Sequence, residues 1–398
     1  MKNFSLILSL CIASVLVGYS QPRTGNVPMI DLTKQYPKKD ILLQEIANVA
    51  YISLNGKDAP LIGRPSIGYV SQECLILYDI FTGDVFVLGK DGNCRSHFNQ
   101  KGNSGKEYLR IDHLTYDPKK REIYILDAFG TNGILVYTET GKFVRSFPEQ
   151  SRQYIQEIYD FDEQTLLAYC MPSRIDANNP NHTNPYLFLS KQDGKIDSRL
   201  NLHFRDRHTS KKSIPTDAGA LSIVIWTSDY STKYGNEFVI ADISADTLYS
   251  LFKGRSLTPI LTRTPSIQRQ NPLIAWSVGL KTDQFILISA SEYDFEAIKK
   301  AAMNNRPAPQ QKPNSYLFYI KNHEIVTPNF INTDWSSKSA SVGMRQVSMD
   351  EKNMSVTIIY AEKLTAALEK GELKGKLKEV AQTLTPDDNP VLMVVTFR

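Results

Sequence analysis

Histidine, cysteine and tryptophan are scarce in this 398-residue chain, at six, four and three copies. The six histidines are scattered, and neither they nor the cysteines show the spacing of a zinc finger. Charge of one sign is lacking too. Lys and Arg number 46 against 42 Asp and Glu, and the net +4 is spread along the chain, which gives nucleic-acid binding no support. Beyond residue 20 no run of about eighteen apolar residues occurs, so an integral membrane helix is not expected. Missing as well are a Gly-x-Ser-x-Gly elbow, a phosphate loop, a His-Glu-x-x-His helix and sialidase-type Asp boxes. No catalytic residue, metal site or cofactor is expected on these grounds.

Apolar residues are plentiful, at 41% of the chain, enough for a large core. The first twenty residues stand apart. Lys2 precedes a nearly apolar stretch from Phe4 to Val17, and Gly18-Tyr19-Ser20 supplies small residues where a signal peptidase reads. Cleavage is expected between Ser20 and Gln21, giving an exported protein, periplasmic or on the cell surface. Tyr19 stands where a lipobox would carry Cys, and Cys11 follows the bulky Leu10, so a lipid anchor is not expected. Removing the leader leaves Cys74, Cys94 and Cys170, an odd number. Cys74 and Cys94 fall on two predicted strands with a third between them, a separation that disulfide geometry rarely spans.

Short apolar or alternating runs, rich in Tyr, Phe, Ile, Val and Leu, dominate the remainder. Asp91-Gly92, Thr140-Gly141 and Asp193-Gly194 each separate two such runs, and Gly at the second position permits the positive φ of a tight hairpin. Before each comes an apolar strand: Leu75–Asp79 and Ile123–Asp127 both run into an Asp, as does Phe238–Asp242. That Asp can bond nearby backbone N–H groups, a structural role. Six units result: Ile67–Phe98, Ile111–Phe147, Ile155–Phe204, Leu221–Leu261, Leu273–Phe330 and Trp335–Phe397. Repetition at about forty to sixty residues with few helices marks an all-β fold, a six-bladed β-propeller. Ala47–Leu54 is expected to pair with the closing strand Val391–Phe397, sealing the ring and hiding an open sheet edge. Residues 21–398 then form one domain. Helical spacing in Glu292–Asn304 and Ala361–Leu384 predicts insertions in the last two blades, either covers or a partner surface.

Gly102-Asn103-Ser104-Gly105-Lys106-Glu107-Tyr108 resembles the G-x-G-x-x-E-Y linker of Bacteroidetes six-bladed, NHL-like β-propeller envelope proteins. The hairpin Ile134–Phe147, the stretch Gly371–Leu384 and Asp388–Leu392 are similar to the same family. The resemblance implies a six-bladed propeller in the cell envelope and names no activity. Its relatives are mostly lipoproteins, from which Tyr19 departs.

The densest basic stretch, Arg205, Arg207, His208, Lys211 and Lys212, is the candidate binding loop, since Arg forks match carboxylates; it reads more readily as a solvated linker between blades. The expectation is a monomeric binding propeller for an envelope protein or glycan. The alternative is a lactonase-like hydrolase or lyase using a divalent cation in the central channel. Calcium would need several oxygens converging at about 2.3–2.6 Å. Carboxylates from three blades meeting at one spot would favour that alternative.

Overall fold

A computed structural model describes residues 27–398 apart from 57–58, 128–131, 148–154, 172–182, 205, 209–210, 217–218, 225–229, 269–271, 305, 308, 310–312, 337–341 and 345–349. It is a six-bladed β-propeller. Blade one consists of Ser66–Val70, Cys74–Tyr78, Asp84–Gly89 and Cys94–Asn99. Blade two has His113–Asp117, Glu122–Asp127, Gly133–Thr138 and Phe143–Phe147. Blade three has Ile155–Asp160, Thr165–Cys170, Tyr186–Ser190 and Ile196–Arg199. Blade four has Ser231–Tyr234, Glu237–Ile240, Thr247–Phe252 and Leu257–Thr264. Blade five has Leu273–Lys281, Phe285–Tyr293, Asn314–Tyr319 and Ile325–Ile331. Blade six joins Met354–Ile359, Val391–Phe397 and Ala47–Ser53. The first strands of blades one, two and three pack on one another and form the inner wall.

The apolar alternation explains why these sheets stack. The middle strands are buried on both sides, as in Cys74–Tyr78 and Thr165–Cys170, and their side chains fill separate clusters between neighbouring blades. Tyr69, Ile76, Leu114 and Ile125 join blades one and two. Leu75, Phe86, Val356 and Leu392 join blade one to blade six, closing the circle. The hairpin glycines set blade spacing. Gly141 has φ +77°, and a Cβ there would lie 2.5 Å from Phe98 on the outer strand of the preceding blade. Gly194 repeats this against Phe147, also at 2.5 Å. Only glycine permits both the turn and the approach.

Val49 pairs with Val395 and Ile52 with Leu392 in an antiparallel ladder, so the two ends of the chain share one sheet. Two further strands extend this stitching beyond the sequence-based expectation. Met29–Asp31 adds in parallel to the outer edge of blade four, and Lys38–Leu42 to that of blade five. Together they form a strap. Both halves read Pro-x-x-Asp-aliphatic, from Pro28 and from Pro37. The Pro28 carbonyl accepts from Thr262 N at 2.8 Å and the Pro37 carbonyl from Thr327 N at 2.9 Å. A proline has no N–H to offer a further strand, which suits it to a sheet edge. One half is only three residues long and the other begins with charged Lys38-Lys39-Asp40, so neither shows strand alternation in the sequence.

Two unit boundaries shift. The fourth unit, expected from Leu221, begins at Ser231, because Lys211–Thr216 and Gly219–Val224 pair as a separate hairpin. The true inner strand, Ser-Thr-Lys-Tyr, is polar in composition although fully buried, which is why apolar pattern passes it over. The sixth sheet starts at Met354, whereas Trp335 forms only an isolated bridge to Leu373. Helices Phe295–Met303, Ala361–Glu369 and Gly375–Ala381 stand where the sequence places helical insertions. Leu364, Ala367, Leu377 and Ala381 are buried in the core between blades five and six, so these last two helices complete that core.

Candidate functional site

Antiparallel order sorts the connections of each blade onto two faces. First-to-second and third-to-fourth turns lie on one, the hairpin face. Second-to-third connections and the linkers between blades lie on the other, the loop face. Asn353, which precedes Met354–Ile359, accepts from Asp283 N in the first turn of blade five at 2.7 Å. The far end of that strand, with the helices after Tyr360, is therefore on the loop face.

On the hairpin face a chain of ionised side chains crosses the channel. Lys191 donates to Asp117 at 2.6 Å and also to Asp160. Lys233 lies 3.1 Å from Asp160 and 2.6 Å from Asp350, which in turn accepts from the Tyr69 hydroxyl. These residues come from blades two, three and four, from the lead-in to blade six, and from blade one, opposite blade four. Asp117 also accepts from Lys119 N and Lys120 N at 3.0 and 3.1 Å. Burial alone would raise the Asp117 pKa, but the Lys191 ammonium and those two amides outweigh it and hold the carboxyl below its usual range. Burial would lower Lys233, and the carboxylates of Asp160 and Asp350 instead hold it above its usual value. Carboxylates from several blades thus do converge, yet ammonium groups of the chain itself stand between them. Among the described residues no group of three or more His, Cys, Asp or Glu is placed to hold a metal ion.

The loop face differs in character. Among the described residues ten large apolar side chains are exposed, and six of them lie on this face: Leu61, Ile80, Phe81, Leu109 and Tyr360 across blades six, one and two, and Met303 at the end of the blade-five helix. Leu61 is 77% exposed and Phe81 68%. Leu61 and Tyr360 share a groove of about 830 Å³ with Arg64, Glu362, Lys363, Pro386, Asp387 and Pro390. Hydrogen bonds connect the groove to the other exposed residues. Asp79 accepts from Arg64 N at 3.3 Å and from Phe81 N at 2.7 Å. The Phe81 carbonyl accepts from Lys101 Nζ at 2.7 Å, and Lys101 bridges Tyr108, next to Leu109. Exposed apolar side chains gathered on one face mark an interaction site more often than singly scattered ones.

Repeating residues hold this face in shape. Asp79 and Asp127, each ending the second strand of its blade, fix the lead-in of the same blade, Asp127 accepting from Leu109 N at 2.8 Å. Asp242 accepts from Ser244 N at 2.8 Å. In the Gly-rich linker, the fully buried Tyr108 donates to Gly83 O at 2.6 Å and accepts from Gln100 N at 3.0 Å, and burial pushes its pKa up to about 12. The motif is a clamp between blades one and two.

The basic stretch belongs to the linker from blade three to blade four, away from the exposed arc. Arg207 turns inward: it donates to Cys170 O at 3.1 Å and to the Tyr169 hydroxyl, and lies 3.8 Å from Asp242. Burial raises the pKa of Asp242 in spite of Arg207. His208 N donates to Ser244 Oγ at 2.9 Å. Lys211 and Lys212 begin the extra hairpin, and Arg205 lies outside the described residues. Of the five, the described side chains are those of Arg207 and His208. The arc of Leu61, Phe81 and Tyr360 escaped sequence reasoning because exposure is not written in an apolar residue. An apolar pair directly after Asp79, in a loop, was the one signal available.

With the fold and these two faces in view, the class of protein is an all-β, six-bladed propeller. The chain belongs to the DUF4934 family, a domain of unknown function, which matches residues 27–396. None of the curated proteins matches. Among solved structures, a protein of Bacteroides fragilis described as exported superposes with a TM-score of 0.65 at 14% identity, covering 93% of this chain and 99% of that one. That likeness shows the fold. A DUF4221 family member from Bacteroides vulgatus gives 0.44 at 7% identity, covering 73% and 90%. The virginiamycin B lyase of Staphylococcus aureus gives 0.38 at 10%, covering 88% and 100%. Both scores are too low to bear on function. No helix among the described residues is long and apolar enough to cross a membrane.

Proposed function

We propose that the protein is an exported binding module of the cell envelope that holds a protein partner on the loop face of its propeller. Residues 1–20 serve in this reading as a removable export signal, and 21–398 as the working domain. One observation carries it: Leu61, Ile80, Phe81, Leu109 and Tyr360 are exposed together on that face, while internal ion pairs cross the channel at the other. A glycan is the lesser fit. Sugar recognition favours aromatic platforms beside polar groups, and this arc is mainly aliphatic, with Phe81 and Tyr360 on different blades.

The test is site-specific photo-crosslinking in cells, with the reactive residue placed at Leu61 or Phe81 and, as control, at the exposed Val144 on the outer strand of blade two. A discrete protein adduct at the first two positions and none at the third is expected. Equal labelling at all three, or glycan-array binding unaffected by Phe81→Ser, would overturn the reading.

A further inference from the structure

The groove is built, and its charges are ordered. Its floor is tied by one side chain: Asn389 Oδ1 accepts from Ile62 N at 2.7 Å, and Asn389 Nδ2 donates to Leu54 O at 3.0 Å and Pro60 O at 2.9 Å. The linker wall and the 386–390 wall are thereby fixed before any ligand arrives, which limits the ordering cost of binding. The volume of about 830 Å³ lies in the range that accepts a drug-sized group.

Glu362 and Asp387 are exposed at the blade-six end. Asp388, beside them, is engaged by Thr385 N at 2.6 Å, and Lys363 leans over the Trp335 ring at 5.4 Å. Toward blades one and two the sign changes. Arg64, Lys101 and Lys106 are exposed there. Lys101 donates to the uncharged Phe81 carbonyl, whereas Arg110 is paired with Asp112. Leu61 and Tyr360 line the groove together with Arg64, Glu362 and Asp387, and Phe81 joins it to Lys101.

We infer that this surface takes an extended polypeptide segment in one direction, with a basic side chain against Glu362 and Asp387 and an acidic one over Arg64 and Lys101. Its apolar side chains rest on Leu61, Tyr360 and Phe81. The inference depends on the loop face being the binding face, and adds to it the chemistry and polarity of the partner. Opposite charges aligned across a contact fix register and exclude reversed partners.

The probe is a phage-displayed library of random dodecapeptides selected on the purified exported protein. Enriched sequences are expected to carry apolar residues flanked by basic residues on one fixed side and acidic residues on the other. Glu362→Gln with Asp387→Asn should weaken the best peptide about tenfold at low salt without shifting the melting midpoint. Replacing the basic residues of that peptide by Gln should make it insensitive to the pair of substitutions.

Peptides that lose binding to Leu61→Ser with Phe81→Ser but show no charge order, or ignore the change at 362 and 387, overturn the polarity and leave the loop-face reading standing. Peptides indifferent to Leu61→Ser and Phe81→Ser overturn both. A library that enriches nothing also overturns the inference.

Discussion

Lys191 reaches across 74 residues of sequence to place its ammonium 2.6 Å from Asp117, and both side chains are almost wholly buried. A lysine costs several kcal/mol to bury unless its charge is met. Asp117 and Asp160 meet it from blades two and three, so that residues from three turns of the hairpin face depend on one another. Lys191→Met leaves both carboxylates without this partner, and a loss of about 3–5 kcal/mol is expected. Urea unfolding checks it. Adding Asp117→Asn to Lys191→Met should recover part of the loss; if the double variant is less stable than the single, the ion pair is not the cause.

The same lattice sets a pH profile. Asp117 titrates below its usual range, so its contribution is complete above the unfolded carboxyl value of about 4 and is lost as pH falls through the folded one. Lys233 titrates above its usual value. Its contribution is complete below about 10.4, the unfolded value, and is lost as pH rises through the folded one. In stability measured against pH, the contributions of these two groups should hold steady between the limbs and be lost at each, while Asp242, raised by burial, subtracts stability as pH climbs above the ordinary carboxyl range. Lys191→Met should flatten the acid limb, and an unchanged acid limb would count against this account.

Gly141 and Phe98 form a coupled pair across blades one and two. Gly141→Ala places a left-handed residue and a Cβ 2.5 Å from Phe98, and a destabilisation of at least about 1–2 kcal/mol is expected from the backbone alone. Phe98→Ala opens a cavity of its own, at about 3–5 kcal/mol. Their double variant should be somewhat more stable than the sum, since removing the ring relieves the approach to its Cγ and Cδ2 while the approach to the Cβ at 98 stays. Strict additivity in thermal unfolding would show that the two do not touch.

The strap makes a separate prediction. Ile30 and Ile41 are buried in the clusters of blades four and five, and Ile30→Ala or Ile41→Ala should each cost about 2–5 kcal/mol. Removing residues 27–42 uncovers the outer edges of both blades and should raise the tendency to aggregate on heating. Light scattering during a thermal ramp distinguishes this from a loss of stability alone.

Among the described residues Cys74 and Cys94 take part in no disulfide, and Cys170 is buried. The strand Asp84–Gly89 stands between Cys74 and Cys94 in the sheet. Burial pushes both thiols up from their usual pKa, which makes each a poor nucleophile near neutral pH. Alkylation of the folded protein should be slow at all three and fastest at the half-buried Cys94. Rapid modification of Cys170 in mass spectrometry would contradict its burial.

The strand Ile123–Asp127, the turns at Gly92, Gly141 and Gly194 and the closing strand Val391–Phe397 were legible in the chain itself. Alternation of apolar residues and a glycine at a fixed place are local requirements of a stacked hairpin, and local requirements leave a local trace. Lys191 and Lys233, the strap at Met29 and Lys38, and the inward turn of Arg207 left none. A lysine reads as surface until distant carboxylates are folded onto it, and a three-residue parallel strand has no pattern until an outer edge is there to receive it. The sequence by itself determined how many blades there are and how the first three are made. Tertiary structure alone decided which charges are buried and which apolar residues stay in water, because burial is a property of neighbours and those neighbours come together only when the ring closes.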